Sequence, residues 1–417
     1  MNKKTIAAAA LAAVACAPAG AQEAASRENV QVYGILDIGV SRVTGMSGGA
    51  RNDVISGIMD GSRIGFKGGE DLGGGYRALF LMESRLELDN GQISNRPPSL
   101  NQVPDRLSQA TLLGLNPATQ PIVNNVAAQV GAQIGVNHIN NAFWDRQIYV
   151  GLVTPVGAIL AGRQYTPAYE TSALFDTLGT QSSLAIGQVA TFPPAVDIRI
   201  SNALAYRMQI GPWSGSVMYS PSEGSTTTGR LWGGNAMYKV PAFSVGLGYN
   251  TRENELGQKS LTSFIAGGTL TAGPGTVYLS AGAVKDDHPT GLSPIGTALA
   301  AGFGATGTAV FNAFTQGLMQ DARLYHVGYK MVAGPNTVYV ASSLFNDRRS
   351  SNADVLSYGF AYTYLISKRT DLNMVVTHFD NKNLAQAAPG QVGFIGGVTS
   401  AAGVDSTSMA FGIRHRF

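Results

Sequence analysis

The sequence predicts an all-β chain closed into a 16-stranded antiparallel transmembrane β-barrel, with short periplasmic turns at one end and long extracellular loops at the other. Three observations predict it. Residues 243–252 alternate strictly, with Phe243, Val245, Leu247 and Tyr249 on one face and Ser244, Gly246, Gly248, Asn250 and Arg252 on the other. Runs of this kind, about ten residues long, suffice to cross a bilayer at a tilt. They recur along the chain, separated in turn by a tight Gly/Pro turn and a long polar loop. Finally, 13% of residues are charged, against about 25% in a typical soluble domain, and mean hydropathy is +0.05.

At the start, Asn2, Lys3 and Lys4 precede an apolar stretch at 6–15 and a small-residue Ala19-Gly20-Ala21 site. This is the pattern of a cleaved secretory signal peptide, 1–21, so the mature barrel domain is expected over 22–417. The single cysteine, Cys16, leaves with that leader, and no disulfide can staple the mature fold. An acyl anchor on Cys16 is the alternative, but the leucine usual three residues upstream is missing. Beyond the leader no run of eighteen apolar residues is evident, which argues against membrane helices. The formal charge of +3 falls to about +1 without Lys3 and Lys4, too near neutral to suggest nucleic acid.

Seven short turn signals follow, at 71–75, 154–157, 211–212, around Pro241, at 273–275, 334–336 and 367–371. Longer connections fall near 44–61, 90–141, 166–197, 221–230, 253–260, 286–321, 346–353 and 380–405. Together they join about sixteen strands, an even count with the asymmetry of outer-membrane barrels. Closure is obligatory, because an unpaired backbone group in hydrocarbon costs several kcal/mol and a closed sheet leaves no edge. A barrel of about sixteen strands keeps an aqueous lumen. In 357–364 the aromatic residues Tyr358, Phe360, Tyr362 and Tyr364 share one parity, as interfacial girdles require. A soluble β-sandwich has the same period but seldom so many full-length strands behind an export signal.

Parity also assigns the lumen. Outward Ile64 and Phe66 put Arg63 and Lys67 inside; outward Ala78, Phe80, Met82, Leu86 and Leu88 put Arg77, Glu83, Arg85, Glu87 and Asp89 inside. A lipid-facing Arg or Lys at mid-membrane costs about 2–4 kcal/mol, so water-side placement is preferred. The same argument reaches Arg146 and Arg199, while around Arg163 parity is ambiguous. Tyr33 and Tyr278 also face inward.

The final strand, 406–417, ends in Gly412-Ile413-Arg414-His415-Arg416-Phe417, with Met409, Phe411, Ile413 and Phe417 on one face. Upstream stand Val32-Tyr33-Gly34-Ile35-Leu36-Asp37, Gly61-Ser62-Arg63-Ile64-Gly65-Phe66-Lys67-Gly68, Glu70-Asp71-Leu72-Gly73-Gly74-Gly75 and Gly162-Arg163-Gln164-Tyr165-Thr166-Pro167. In this order they resemble the general diffusion porins of Gram-negative bacteria, in their β-proteobacterial form. The resemblance implies a homotrimer of barrels set among outer-membrane lipid and lipopolysaccharide. It also implies that the terminal Phe417 is a signal to the barrel-assembly machinery, and that the third loop, 166–197, folds inward as a constriction. Glu170 and Asp176 would then put negative charge opposite a wall bearing Arg63, Arg146 and Arg199, with Arg163 nearby. The second loop, 90–141, is much longer than the family pattern and contains Arg96-Pro97-Pro98. It could fold over the mouth, latch onto a neighbouring subunit or carry a short helix.

The expected function is passive diffusion of small hydrophilic solutes and ions. Because the basic group outnumbers Glu170 and Asp176, weak anion preference is expected, since charge of one sign lining a pore biases selectivity. A bland alternative for any single arginine is pairing with Glu83, Glu87 or Asp37 on a solvated wall. Rival functions are a substrate-specific channel, which calls for a ladder of aromatics and charges, and an adhesin barrel, supported by the long second loop alone. Catalysis has little support. Gly45-Met46-Ser47-Gly48-Gly49 fits the nucleophile-elbow spacing without its strand-to-helix context. His138, His288, His326, His378 and His415 lack metal spacing, no phosphate-cradling loop is present, and neither cofactor nor metal is expected.

Overall fold

The structure, a computed structural model, describes residues 30–93, 97–134, 142–190, 192–222, 228–390 and 396–417. The expected leader, 1–21, lies outside them. Strand β1 is Gln31–Val43, β2 runs in two segments, Arg51–Ser56 and Arg63–Gly73, and β3 is Tyr76–Arg85. Next come β4 Gln147–Thr154, β5 Gly157–Tyr165, β6 Arg199–Ile210, β7 Trp213–Ser220, β8 Leu231–Lys239 and β9 Phe243–Glu253. The circuit continues with β10 Lys259–Ala272, β11 Gly275–Asp286, β12 Gln320–Ala333, β13 Asn336–Asp347, β14 Val355–Leu365, β15 Thr370–Asn381 and β16 Ser406–Arg416. Neighbours pair antiparallel, and β16 closes on β1 with Ile38 opposite Ile413. The chain end completes the seam: Phe417 and Gly34 exchange backbone hydrogen bonds of 3.2 and 3.1 Å. Sixteen strands thus satisfy one another's backbones without an edge.

The break in β2 has a local cause. Residues 57–62 leave the ladder, and the buried Asp37 carboxylate accepts from the freed backbone N–H groups of Ile58, Met59 and Asp60 at 3.0, 2.9 and 2.7 Å. Outside, Val40, Val150, Val217, Val245 and Leu247 are exposed, as lipid contact requires. Trp213, Tyr238 and Phe243 cluster beside the turns, with ring centroids 4.8 and 5.8 Å apart. Tyr219 and Trp232 pair at 4.2 Å at the loop end of the same wall. These are two aromatic girdles of the kind that alternation at 357–364 suggested.

Among the described residues the loops hold four α-helices: α1 Asp105–Ser108, α2 Gln120–Ile134, α3 Pro167–Phe175 and α4 Ser293–Leu318. Helix α4 corrects two expectations, since 286–321 was read as polar loop and no long apolar run was seen past the leader. By length and composition it is apolar enough to cross a membrane. It does not run straight, because Gly304 adopts φ 54° and ψ −132°, a conformation open chiefly to glycine. The chain folds back there, bringing Gly296 against the Phe311 ring and Gly307 against the Leu299 carbonyl. The two halves pack on α1 and α2 through Val103, Leu107, Val123, Val126, Leu299, Phe314 and Leu318.

A helical cap with its own core therefore stands on the extracellular rim. Loop 2 rises between β3 and β4, whereas loop 6, which carries α4, rises between β11 and β12 on the opposite side of the circle. On the way loop 2 crosses β2, where Arg51 donates to the Pro98 carbonyl at 2.6 Å. It then meets loop 8, where the Val398 N–H donates to Ser99 and Gln102 donates to the Thr399 carbonyl, both at 2.9 Å. Loop 2 thus folds onto its own barrel.

Candidate functional site

Loop 3 enters the lumen onto a wall that offers small residues at the points of closest approach and apolar ones, such as Leu261, Leu324 and Phe379, to pack against. Thr166 caps α3, and the helix lies on β8 to β10, where Asn250 accepts from the Ala168 N–H at 3.1 Å. Close approach is possible because Gly248, Gly267 and Gly328 carry no Cβ: one added there would collide with Thr171, Phe175 and Thr177 respectively. Farther on, His326 of β12 accepts the Thr177 N–H through Nε2 at 3.0 Å and meets Ser343 through Nδ1 at 2.8 Å. Ser183 bonds Thr377 of β15 at 2.9 Å. The loop therefore lines the inner wall from β8 to β15 and leaves the gap on the side of β1 to β6.

That opposite wall carries a belt of coupled side chains. Tyr33 donates to Glu83 at 3.0 Å. Arg146 donates through Nε to the same carboxylate at 2.5 Å and through Nη2 to the Tyr165 hydroxyl at 2.9 Å. Arg199 lies 4.7 Å over the Tyr165 ring and donates to its hydroxyl at 3.1 Å; the Tyr165 ring in turn stacks on Tyr169 of loop 3 at 4.9 Å. Lys67 stands 5.2 Å over the Tyr33 ring, exposed to the lumen. Arg63 pairs with Asp60 and donates to the Gly61 carbonyl at 2.8 Å. Among the described residues no carboxylate lies within ion-pair distance of Lys67 or Arg199.

Several expectations change. Asp176 is buried, with both oxygens taken by the N–H groups of Leu178, Thr180 and Ile186 at 2.9, 3.0 and 2.7 Å, so it shapes loop 3 and presents no charge to the gap. Glu170 is held by Arg207 of β6 at 2.6 Å. Arg163 pairs in register with Ile148, beside the exposed Val150 two residues on; it therefore lies on the outward side of the rim, bonding the Asp145 carbonyl at 2.8 Å and Ser201 at 3.0 Å. Arg77 keeps its inward parity but pairs with Asp71 and Val153 at the turn end, away from the gap. Arg85 sits opposite Arg63 and is neutralised by Asp145 at 3.2 Å. Asp197, at the end of loop 3, meets Arg252 at 2.9 Å. Burial nevertheless raises its carboxyl pKa, against the pull of that arginine.

Sequence reasoning overlooked Tyr165, Arg207, Lys330 and the Asp371 pocket. Tyr165 closes the Gly-Arg-Gln run, and its Oη joins Arg146 to Arg199. Lys330 alternates with outward Tyr325, Val327 and Tyr329, a parity that could have found it; it lies 5.5 Å over the Tyr339 ring. Asp371 binds Arg414 at 3.1 Å and Arg416 at 2.7 Å beneath the closing strand.

Residues 7–384 match the Gram-negative porin family. An outer membrane porin protein of Bordetella pertussis is 38% identical over 103 residues, which cover 21% of this chain and 26% of that protein. The matched segment thus spans about a quarter of that curated relative. Among solved structures, an anion-selective porin from Comamonas acidovorans superposes with TM-score 0.67 at 20% identity, over 94% of this chain and 100% of that one. The trimer form of OmpT from Vibrio cholerae gives 0.57 at 12% identity, over 94% and 100%. OmpF of Salmonella typhi gives 0.53 at 13%, over 94% and 98%.

Proposed function

The chain belongs to the Gram-negative porin family, and from that membership we propose that it forms a water-filled outer-membrane channel through which small hydrophilic solutes and ions diffuse passively, with weak preference for anions. The observation that carries the preference is a charge imbalance across the gap. Lys67, exposed to the lumen, and half-buried Arg199, resting on Tyr165, have no carboxylate within ion-pair distance among the described residues, while Glu170 is bound by Arg207 and Asp176 is buried. Fixed cations along a narrow aqueous passage lower the electrostatic barrier for anions and raise it for cations. The two tyrosines beneath them offer flat faces and hydroxyls that orient dipolar solutes. In a planar bilayer under a salt gradient, the reversal potential is expected on the anion side; a cation-side value overturns the preference.

One observation favours a second reading. Lys67, Tyr33, Glu83, Arg146, Tyr165 and Arg199 form a continuous series of charges and aromatics, the arrangement a substrate-specific channel would use. Liposome swelling with graded sugars and organic anions separates the two: general diffusion follows size, and a specific channel breaks that trend.

The assembly we propose is a homotrimer. The outward faces of β1 to β5 are led by aliphatic Val32, Val40, Val54, Val150 and Leu152, whereas the girdle aromatics lie on β7 to β9 and β14. An aliphatic sector suits subunit contact and an aromatic one suits the lipid and lipopolysaccharide boundary. For Phe417, partly exposed at the seam, we propose recognition by the barrel-assembly machinery before closure.

A further inference from the structure

We infer that loop 2 is a brace on the constriction loop and that Arg106 is its positioning residue; this rests on the channel reading above. Arg106 is 8% exposed. Its guanidinium donates through Nη1 to the Gly317 carbonyl in the last turn of α4 and through Nη2 to the Phe192 carbonyl of loop 3 at 2.8 Å. One side chain therefore ties together the second, third and sixth loops. A buried cation needs compensation, and here the C-terminus of α4 provides it: Arg349 also donates to the carbonyls of Gly317 and Met319. Carbonyls left free at a helix end carry partial negative charge and favour guanidinium groups.

The tie is apolar as well as polar. Phe192 packs against the core of the cap, alongside Leu107 and Leu318. The same end of loop 3 is held from the start of β12 and from loop 8: Gln320 donates to the Pro194 carbonyl at 3.1 Å, and the Gly390 N–H donates to Gln188 at 2.7 Å. The start of the loop is fixed on the barrel wall by α3 and His326. The distal half, 186–197, reaches the wall of β10 through Ser263, which donates to the Ala195 carbonyl at 2.7 Å. Arg252 of β9 also meets Asp197, and Ile186, Val189 and Val196 pack with Leu261, Leu324 and Phe379 of the wall, so the cap adds a clamp from above to a segment seated on the barrel below. An applied potential acts on the carboxylates of this loop, Glu170, Asp176 and Asp197, and the cap opposes the resulting displacement. This gives the long second loop a purpose inside its own subunit.

The test is voltage-dependent closure of the purified full chain in planar bilayers. Arg106→Met removes the hydrogen bond to the Phe192 carbonyl, and Phe192→Ala, which keeps that carbonyl, removes the apolar packing on the cap. Each is expected to raise the closed population at a fixed holding potential about tenfold, equivalent to ~1.4 kcal/mol, with noisier open current. Because the two changes weaken different parts of one tie, the double variant should close at least as readily as the stronger single change. Arg106→Lys, which keeps a donor, should recover part of the stability of the open state. Low-voltage conductance and heat-modifiable electrophoretic mobility report folding; if Arg106→Met does not fold, Phe192→Ala and Arg106→Lys carry the test. Closure unchanged in the folded variants overturns the brace. A wild-type protein that forms no channel overturns the diffusion reading instead.

Discussion

The two halves of the lumen are built from the same alternating strands and end as opposites. On β8 to β15 inward glycines at 248, 267 and 328 stand among Asn250, Thr377, Leu261 and Phe379, and a loop lies on them; the β1 to β6 side carries Tyr33, Lys67, Glu83, Arg146, Tyr165 and Arg199, and water is left in front. Side-chain size at the inward positions thus decides where the loop rests, and charge decides what the uncovered wall does. Within the charged half a further distinction appears. Arg146 is buried and bonded to Glu83, whereas Arg199 rests on an aromatic face with no carboxylate beside it. Two arginines joined through one tyrosine do different work.

The strongest way to break this comparison is Arg146→Met. It strands Glu83 as a buried carboxylate with Tyr33 as its remaining neutral donor. Removing one partner of a buried pair costs about 3–5 kcal/mol, so the folded barrel should lose thermal stability by far more than after any exposed substitution. Denaturant midpoints of the refolded protein measure it; a loss no larger than that of Arg199→Met would show that pairing with Glu83 does not set the two arginines apart.

The opposite half is tested by Gly328→Val. A Cβ at this position would fall 1.9 Å from the Thr177 hydroxyl oxygen, and overpacking of this kind costs about 1–3 kcal/mol. The expected result is a displaced loop 3, seen as altered single-channel conductance and faster proteolysis within 166–197. The mirror substitution on the bare wall, Gly65→Val, meets the Tyr33 ring and should perturb the belt while leaving proteolysis of the loop as in wild type.

How far the sequence reveals this division depends on the range of the interactions. Strand positions and inward parity follow from local alternation, so Arg63, Lys67, Arg77 and Arg85 are readable inside the barrel, and the seven tight turns are readable from Gly and Pro. Height is another matter: Arg77 shares its parity with the belt yet stands by the turns. Arg163 follows a glycine of β5 with φ 134°, where ladder register is disturbed and alternation stops being a guide. Asp176 looked like a pore charge because its partners are backbone amides of its own loop, which composition does not reveal. Helix α4 was missed because its apolar positions are shared between Ala, Gly and Thr and its two halves meet only after the bend at Gly304. The glycines beneath loop 3 were in plain view, but their meaning needs the loop that lies on them.

The smallest change in stability should come with the clearest change in function. Arg199→Gln removes a cation that has no carboxylate to leave stranded, so the stability cost should stay near the surface-substitution range of about 0.5 kcal/mol. The Tyr165 hydroxyl keeps Arg146 as its donor, and the belt should hold its shape. What alters is the field: one uncompensated positive charge leaves the wall facing loop 3, and Lys67 remains as the free cation on the same wall. The reversal potential in a salt gradient should therefore move toward cations with conductance nearly preserved. Arg146→Met, although it removes the same formal charge, should move it less, because its charge was already balanced by Glu83. If both substitutions shift selectivity equally, burial and pairing do not separate the structural arginine from the functional one.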